Sequence, residues 1–252
     1  MKRFFLFALC LIILAACSPQ AQLVTLRGNN VQTVPGKGLV LDNDTLTLTY
    51  NFSSSRGLMH ITLVNKLNRP LYVDWKRSSF IIGQNKLDYW YDVADVNLSG
   101  SFVGSGLYRR YGVGSLNGTI TKADPVGFIP PNTKIEKNDF VVFPEGNLLL
   151  KGQPEVSHKH PQAMPDTKKL LVVRTFTYSE EQSPLTFRNY LTLSTDKDFN
   201  DEFHIDTQFW ASDVQVLPKA EIVGEPVLQY DNTYSAPVPF KKPDSFYITL
   251  PL

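Results

Sequence analysis

Apolar and polar residues alternate with a period of two over much of this chain. In DTLTLTYNF, Leu46, Leu48 and Tyr50 share one parity while Thr45, Thr47 and Thr49 share the other. This is the pattern of a strand with one buried face. LMHITLVN repeats it with Met59, Ile61 and Leu63. Residues 65 to 70 read as a turn, the pattern resumes over 71 to 75, and SSFIIG continues it after a short break. Residues 58 to 83 are therefore expected to form two or three antiparallel strands. KLLVVRTFTY, LTFRNYLTLST and EFHIDTQFWASDVQVL extend the series. In the last, Phe203, Ile205, Thr207 and Phe209 alternate with His204, Asp206, Gln208 and Trp210. The tail SFYITLPL adds one more short strand. No segment keeps a 3.6-residue period over three turns and nothing repeats at a fixed spacing, which argues against bundles, solenoids and propellers.

The intervals between these strands differ in kind. Residues 18 to 38 mix Gly, Pro, Gln and Asn and read as a tether, with Leu23, Val24 and Leu26 able to add a short first strand. Residues 100 to 119 hold six glycines, too many for a rigid strand interior, and read as a long glycine-rich loop or loose hairpin. Pro130 and Pro131 force an extended path into the strand that ends FVVF. Residues 144 to 168 contain four prolines and are mostly connection around an apolar patch at 148 to 150. About eight to ten strands separated by Gly, Pro and Asn predict an all-β antiparallel sandwich. One domain is expected over residues 39–252, with excursions near 99–125 and 144–168.

The first residues follow another rule. Lys2 and Arg3 precede an apolar run over residues 4 to 16, which has the length of a signal-peptide core and is short for a membrane span. The run stops at LAAC, with Cys17 behind three small or apolar residues. This resembles the lipobox of bacterial lipoproteins. The resemblance implies removal of residues 1–16, diacylglycerol on the Cys17 thiol, a further acyl chain on the new amine, and residues 17–38 as an acylated tether. Two or more acyl chains anchor a protein stably where one does not. Ser18 in place of an aspartate implies, by the enterobacterial sorting pattern, the outer membrane, and the lack of acidic residues in SPQAQ favours its periplasmic face. With Cys10 gone and Cys17 acylated, the mature chain is expected to hold no thiol, disulfide or thiolate metal site.

HITLVNKLNRPLYVDWKRSSFIIG, in which a strand ends in Asn, a short turn carries Pro and the next strand leads to S-x-F-x-x-G, resembles a pattern of immunoglobulin-like bacterial lipoproteins. FIPPNT is similar to the Ile-Pro-Pro step that follows in such domains. SPLTFRNYLTLSTDKDFNDEFHIDTQFWASDV resembles stretches of uncharacterised lipoproteins of Bacteroidetes-type bacteria. These resemblances cover about a third of the chain and imply an immunoglobulin-like sandwich, without an activity. Composition agrees with a folded domain, at 42% hydrophobic and 19% charged residues. With 25 basic and 24 acidic residues, the chain lacks the basic field that nucleic acid requires.

Candidate chemistry is sparse. His158 and His160 flank Lys159, a spacing with which a metal site can begin, but no third ligand stands at a motif spacing. DKDFNDEF gathers Asp196, Asp198, Asn200, Asp201 and Glu202, yet Asp201 sits where a calcium loop needs its turn glycine, and Thr207 where it needs glutamate. GVGSLNG is out of register with G-x-G-x-x-G and lacks a βαβ context, so no nucleotide is expected. Asp88, Asp92 and Asp95 read as exposed acids of a turn, and no G-x-S-x-G or H-E-x-x-H is present. No cofactor and no metal are expected. Two aromatic groups remain: Tyr108, Arg109, Arg110 and Tyr111 in the glycine-rich segment, and Tyr89, Trp90 and Tyr91 before it. Tyr, Trp and Arg are enriched in interface hot spots. The expectation is a non-catalytic binding or assembly component of the cell envelope, held to the membrane through Cys17, with an envelope protein as partner. Glycan or small-ligand binding through the same aromatics is the alternative, and a hydrolase without a recognisable motif the second.

Overall fold

A computed structural model describes residues 19–103, 113–161, 167–168, 170–224 and 240–251. The chain opens with β1 (Gln20–Gly28), β2 (Gln32–Val34), β3 (Gly38–Asp42), β4 (Leu46–Asn51) and β5 (Leu58–Asn65). It continues through β6 (Leu71–Ile82), β7 (Asn85–Asp88), β8 (Ala94–Val103), β9 (Val113–Lys122), β10 (Val126–Ile129) and β11 (Lys134–Val141). β12 (Glu155–Lys159), β13 (Leu171–Thr177), β14 (Thr186–Ser194) and β15 (Glu202–Pro218) follow, then one helical turn, α1 (Ala220–Val223), and β16 (Ser245–Thr249). The chain forms the expected all-β antiparallel sandwich. A five-stranded sheet runs β11-β5-β4-β3-β2, and a nine-stranded sheet is built on β10-β6-β14-β15-β1-β16. β7 joins the latter at β6, and the β12–β13 hairpin joins it at the last third of β15. The two antiparallel sheets hold more strands than the roughly seven to nine of immunoglobulin domains.

The alternation read from sequence decides which side chains meet. Leu46, Leu48 and Tyr50 of β4 and Met59, Ile61 and Leu63 of β5 are buried against Phe187, Leu191 and Leu193 of β14 and Ile205 and Phe209 of β15, in one continuous core. Aromatic rings connect the sheets: Phe209 lies 4.9 Å from Tyr50 and 4.9 Å from Phe187, and Phe80 lies 5.6 Å from Phe187 and 5.0 Å from Phe140. Gly38 starts β3 with φ 115°, and a Cβ there would stand 2.2 Å from the Tyr50 carbonyl oxygen, so only glycine lets the two strands approach.

β6 holds its inward parity through a bulge. Leu71, Val73 and Trp75 face the core, and so do Ser78 and Phe80. The odd and even sets are reconciled because Tyr190 of β14 faces Ser79 while Thr192 faces Asp74. The extra residues push Lys76 and Arg77 outward. The Ser78 hydroxyl fills the gap in the ladder, accepting from the Thr192 amide at 3.0 Å and donating to the Asp74 carbonyl at 2.6 Å. Bulges of this kind re-aim side chains without ending a strand.

One expectation is corrected and two gain detail. Residues 17–38 are not a tether throughout, because β1 lies between β15 and β16 with Ala21, Leu23, Val24 and Leu26 buried. Its polar Gln22 is accommodated by a two-way amide pair with Leu148, at 2.9 Å in both directions. That pair also fixes part of the 144–168 connection, which further contains β12. Finally, of the loop and the loose hairpin read for the glycine-rich segment, the described residues follow the second, as two ten-residue strands, β8 and β9, in unbroken register from Ala94↔Lys122 to Val103↔Val113.

A chain of buried hydrogen bonds crosses between the sheets. The Tyr89 hydroxyl donates to Asn189 Oδ1 (2.6 Å), Asn189 Nδ2 donates to the Tyr50 hydroxyl (2.9 Å), and Tyr50 donates to Thr207 Oγ1 (3.3 Å). Asn189, Tyr50 and Thr207 are fully buried. Burial pushes the Tyr50 phenol up to about 12, against a smaller lowering by Thr207 and Asn189, and burial raises Tyr89 as well. Asn189→Leu leaves Tyr89 without its acceptor and Tyr50 without a donor. It should cost about 2–4 kcal/mol, read as a lower urea midpoint. A phenol raised in the folded state stabilises fully below its ordinary pKa near 10, and that contribution is lost as pH rises towards 12. Tyr50 should thus account for about 2–3 kcal/mol of lost stability between about pH 10 and 12, and Tyr50→Phe should make the alkaline limb shallower in urea titrations across that window.

Candidate functional site

β7 pairs along β6 as far as Ser79↔Asp88, and Tyr89 then turns into the core, its ring 4.8 Å from Phe140 and 5.4 Å from Trp75. Trp90, half-buried against the core, and the exposed Tyr91 follow at the root of the ribbon that β8 and β9 form. Trp90 Nε1 donates to the Ala123 carbonyl at 2.9 Å, tying together the two chain segments that leave and re-enter the sandwich. The Lys76 and Lys122 ammonium groups lie 5.8 and 5.7 Å from the Trp90 ring, within cation–π range. Lys76 is one of the residues that the β6 bulge turns outward. Lys122 pairs with Asp92, whose carboxyl its hydrogen bond and charge hold below the usual range. Tyr91 is 56% exposed and Val93 66%. The root is thus an aromatic and aliphatic strip beside two cations, suited to contact.

A second surface lies on the outer face of the five-stranded sheet. A shallow groove of about 990 Å³ runs over Thr47, Thr49 and Asn51 of β4 and His60 and Thr62 of β5, bounded by Gln32 and Asp42. Its walls are hydroxyls, amides and short aliphatic groups. Asp42 is held low by bonds from Thr47 and Lys66, and His60 Nε2 stands 3.7 Å from Glu136. These groups offer many donors and acceptors for a polar ligand.

The expected site residues separate. Cys17 and Tyr108, Arg109, Arg110 and Tyr111 lie outside the described residues. Of the other aromatic group, Tyr89 belongs to the core, whereas Trp90 and Tyr91 share the ribbon root. His158 is exposed on β12, and His160 Nδ1 lies 3.1 Å from the Thr167 carbonyl. Among the described residues, no three His, Cys, Asp or Glu side chains gather as metal ligands would. Asp196 closes a turn by accepting from the Asn200 amide (3.1 Å) and side chain (2.6 Å). Asp88 pairs with Lys86 and Asp92 with Lys122. Sequence reading missed Asn189, although its place on the buried parity between Phe187 and Leu191 was a signal. It also missed the groove, whose signal was a run of threonines on the outward parity of neighbouring strands. Comparison with protein-family models, with curated proteins and with solved structures finds no match.

The split between Tyr89 and Tyr91 is measurable. Tyr91→Ala should change stability by less than about 0.5 kcal/mol, while Tyr89→Phe, which leaves Asn189 Oδ1 without its donor, should cost about 1–3 kcal/mol. Urea unfolding of both variants checks the assignment.

Proposed function

We propose that this protein is a non-catalytic binding or assembly component of the cell envelope, acylated at Cys17 and held at the periplasmic face of the outer membrane, where it engages another envelope protein. The observation that carries the reading is the β8–β9 ribbon. Among the described residues it pairs with neither of the two sheets, and it is rooted at the half-buried Trp90 and the exposed Tyr91. A two-stranded ribbon is marginal alone in water, and Trp and Tyr are among the residue types enriched in contact hot spots. The lipobox resemblance supports the location.

Cross-linking in intact cells, followed by gentle solubilisation, tests the proposal. The acylated chain should bring down an envelope partner in stoichiometric amount, Trp90→Ala/Tyr91→Ala should weaken that recovery, and Cys17→Ser should release the protein from membranes. Equal recovery of the chain alone with and without the root substitutions would sink the assembly reading. A second reading is supported by the groove over β4 and β5, whose hydroxyl and amide lining suits a glycan. Saturable oligosaccharide binding, weakened by Thr49→Val/Thr62→Val and indifferent to the root variant, would favour it.

A further inference from the structure

The hairpin of β12 and β13 carries apolar side chains on both of its faces. On one, Val173 is buried with Leu23 and Leu217, and Ile222 and Phe240 pack against them. Successive strand residues alternate faces, so Val172 and Arg174 lie on the other, where the register adds His158 and Val156. Across β15 and β1 that second face continues as Val214 and Val24, both fully buried in the main core. On the hairpin it is open, with Val156 53% exposed and Val172 46%. Leu170, just before β13, is 43% exposed. The parity that builds the core thus runs on into the hairpin, and its last apolar side chains meet water.

The register also fixes where this happens. β13 pairs with β15 through Arg174↔Val216, so Val172 is level with Pro218, the partner of Gln20 at the start of β1. Leu171 continues past that level, with Leu170 next in the chain. Pro19 is tied at the same end, its carbonyl accepting from the Lys219 amide at 2.8 Å. β12, β13, β15 and β1 lie side by side at about 4.8 Å each, so roughly 15 Å separates the hairpin's outer strand from the first strand of the chain. Lys159 closes β12 at this end opposite Leu171, and Lys168 is exposed in the connection between the two strands. Glu155, the acid of the hairpin strands, is at the other end, opposite Thr175.

We infer that this end of the β12–β13 hairpin is a second membrane contact, in which Leu170 and Val172 enter the headgroup layer while Lys159, Lys168 and Lys219 meet anionic phospholipid. The contact sets how the sandwich stands on the bilayer, and it rests on the reading that Cys17 is the lipid anchor. Two observations favour lipid over a protein partner here. The first is position. Cys17 is three residues from Gln20, a reach of about 10 Å, so an acyl group on it draws the bilayer to the level of the hairpin. A protein could cover the patch only by wedging between the domain and the lipid. The second is chemistry. Apolar side chains flanked by lysines are the composition of surfaces that lie in the membrane interface, and each lysine near an anionic leaflet strengthens binding about fivefold. Few side chains take part, so the contact is weak alone and depends on the high local concentration that an anchor confers.

The test supplies its own anchor. The chain from residue 17 with Cys17→Ser, which contains neither native cysteine, is held by an N-terminal polyhistidine tag on vesicles of phosphatidylcholine, phosphatidylglycerol and a nickel-chelating lipid. Leu170→Cys, Val172→Cys and, at the ribbon root as a control, Tyr91→Cys each carry an environment-sensitive fluorophore. All three positions are exposed, where substitution changes stability little. Nitroxides on the acyl chains should quench the probes at 170 and 172 at least about threefold more than the probe at 91. Replacing phosphatidylglycerol by phosphatidylcholine, or introducing Lys159→Glu/Lys168→Glu, should remove most of that difference. Equal quenching at the three positions would overturn the inference, as would quenching that ignores both the lipid charge and the lysines. Probes that stay wet on vesicles and are shielded only in envelope membranes would overturn it too, and would mean that a protein covers the hairpin. Membrane fractionation of the acylated chain against Cys17→Ser in cells reports the anchor separately, so failure of one reading is distinguishable from failure of the other.

Discussion

Two sheets that touch only through apolar side chains can slide, and in this sandwich the Tyr89–Asn189–Tyr50–Thr207 chain opposes that freedom. Each bond is directional and buried, so a shift of β4 against β14 and β15 strands a hydroxyl or an amide away from water. Around that chain the rings of Phe52, Phe187 and Phe209 pack at 4.9 to 5.8 Å, and their offset and edge geometry requires the same register. The chain also reaches beyond the sheets. Tyr89 is the last residue before the ribbon root, so the buried end of the network fixes where the ribbon leaves the sandwich.

The same economy appears at the β6 bulge. Its extra residues move Lys76 and Arg77 outward, and Ser78 repairs the ladder behind them. Arg77 then spans Asp74 (2.6 Å) and Glu202 (2.5 Å) on the outer face, while Lys76 reaches Trp90. One local irregularity thus supplies both a link to the start of β15 and half of the cationic surroundings of the root. Exposed ion pairs of this kind add little stability, so the bulge matters chiefly for where it puts its charges.

Much of the fold was legible because period two is a strong signal where one face is buried. β4, β5, β14 and β15 follow the alternation that the sequence presents, and Thr207 sits among inward residues as its parity requires. Other features were legible only in part or not at all, for physical reasons. β1 carries Gln22 on a buried position, and its cost is removed only by Leu148, more than a hundred residues away. The ribbon could be read only as a loop or a loose hairpin, because glycines weaken the strand signal without preventing pairing. Tyr89, Trp90 and Tyr91 are adjacent and alike, so no pattern separates the core residue from the surface ones. The groove spans several strands that are neighbours only once paired, which alternation within one strand does not encode.

The start of β1 and the ribbon root lie far apart along the longest strand. Gln20 pairs with Pro218, while the ribbon re-enters beside Trp75 and Val126, at the level where Asp74 faces Thr192 and Thr192 faces His204. The separation along β15 is roughly 45 Å at about 3.3 Å per residue, and the link from Cys17 to Gln20 reaches only about 10 Å. On the proposed reading, the anchor holds one end of this axis and leaves the ribbon root at the other. The domain then works as a lever that pivots on its lipid, and a small tilt sweeps the root through a wide arc.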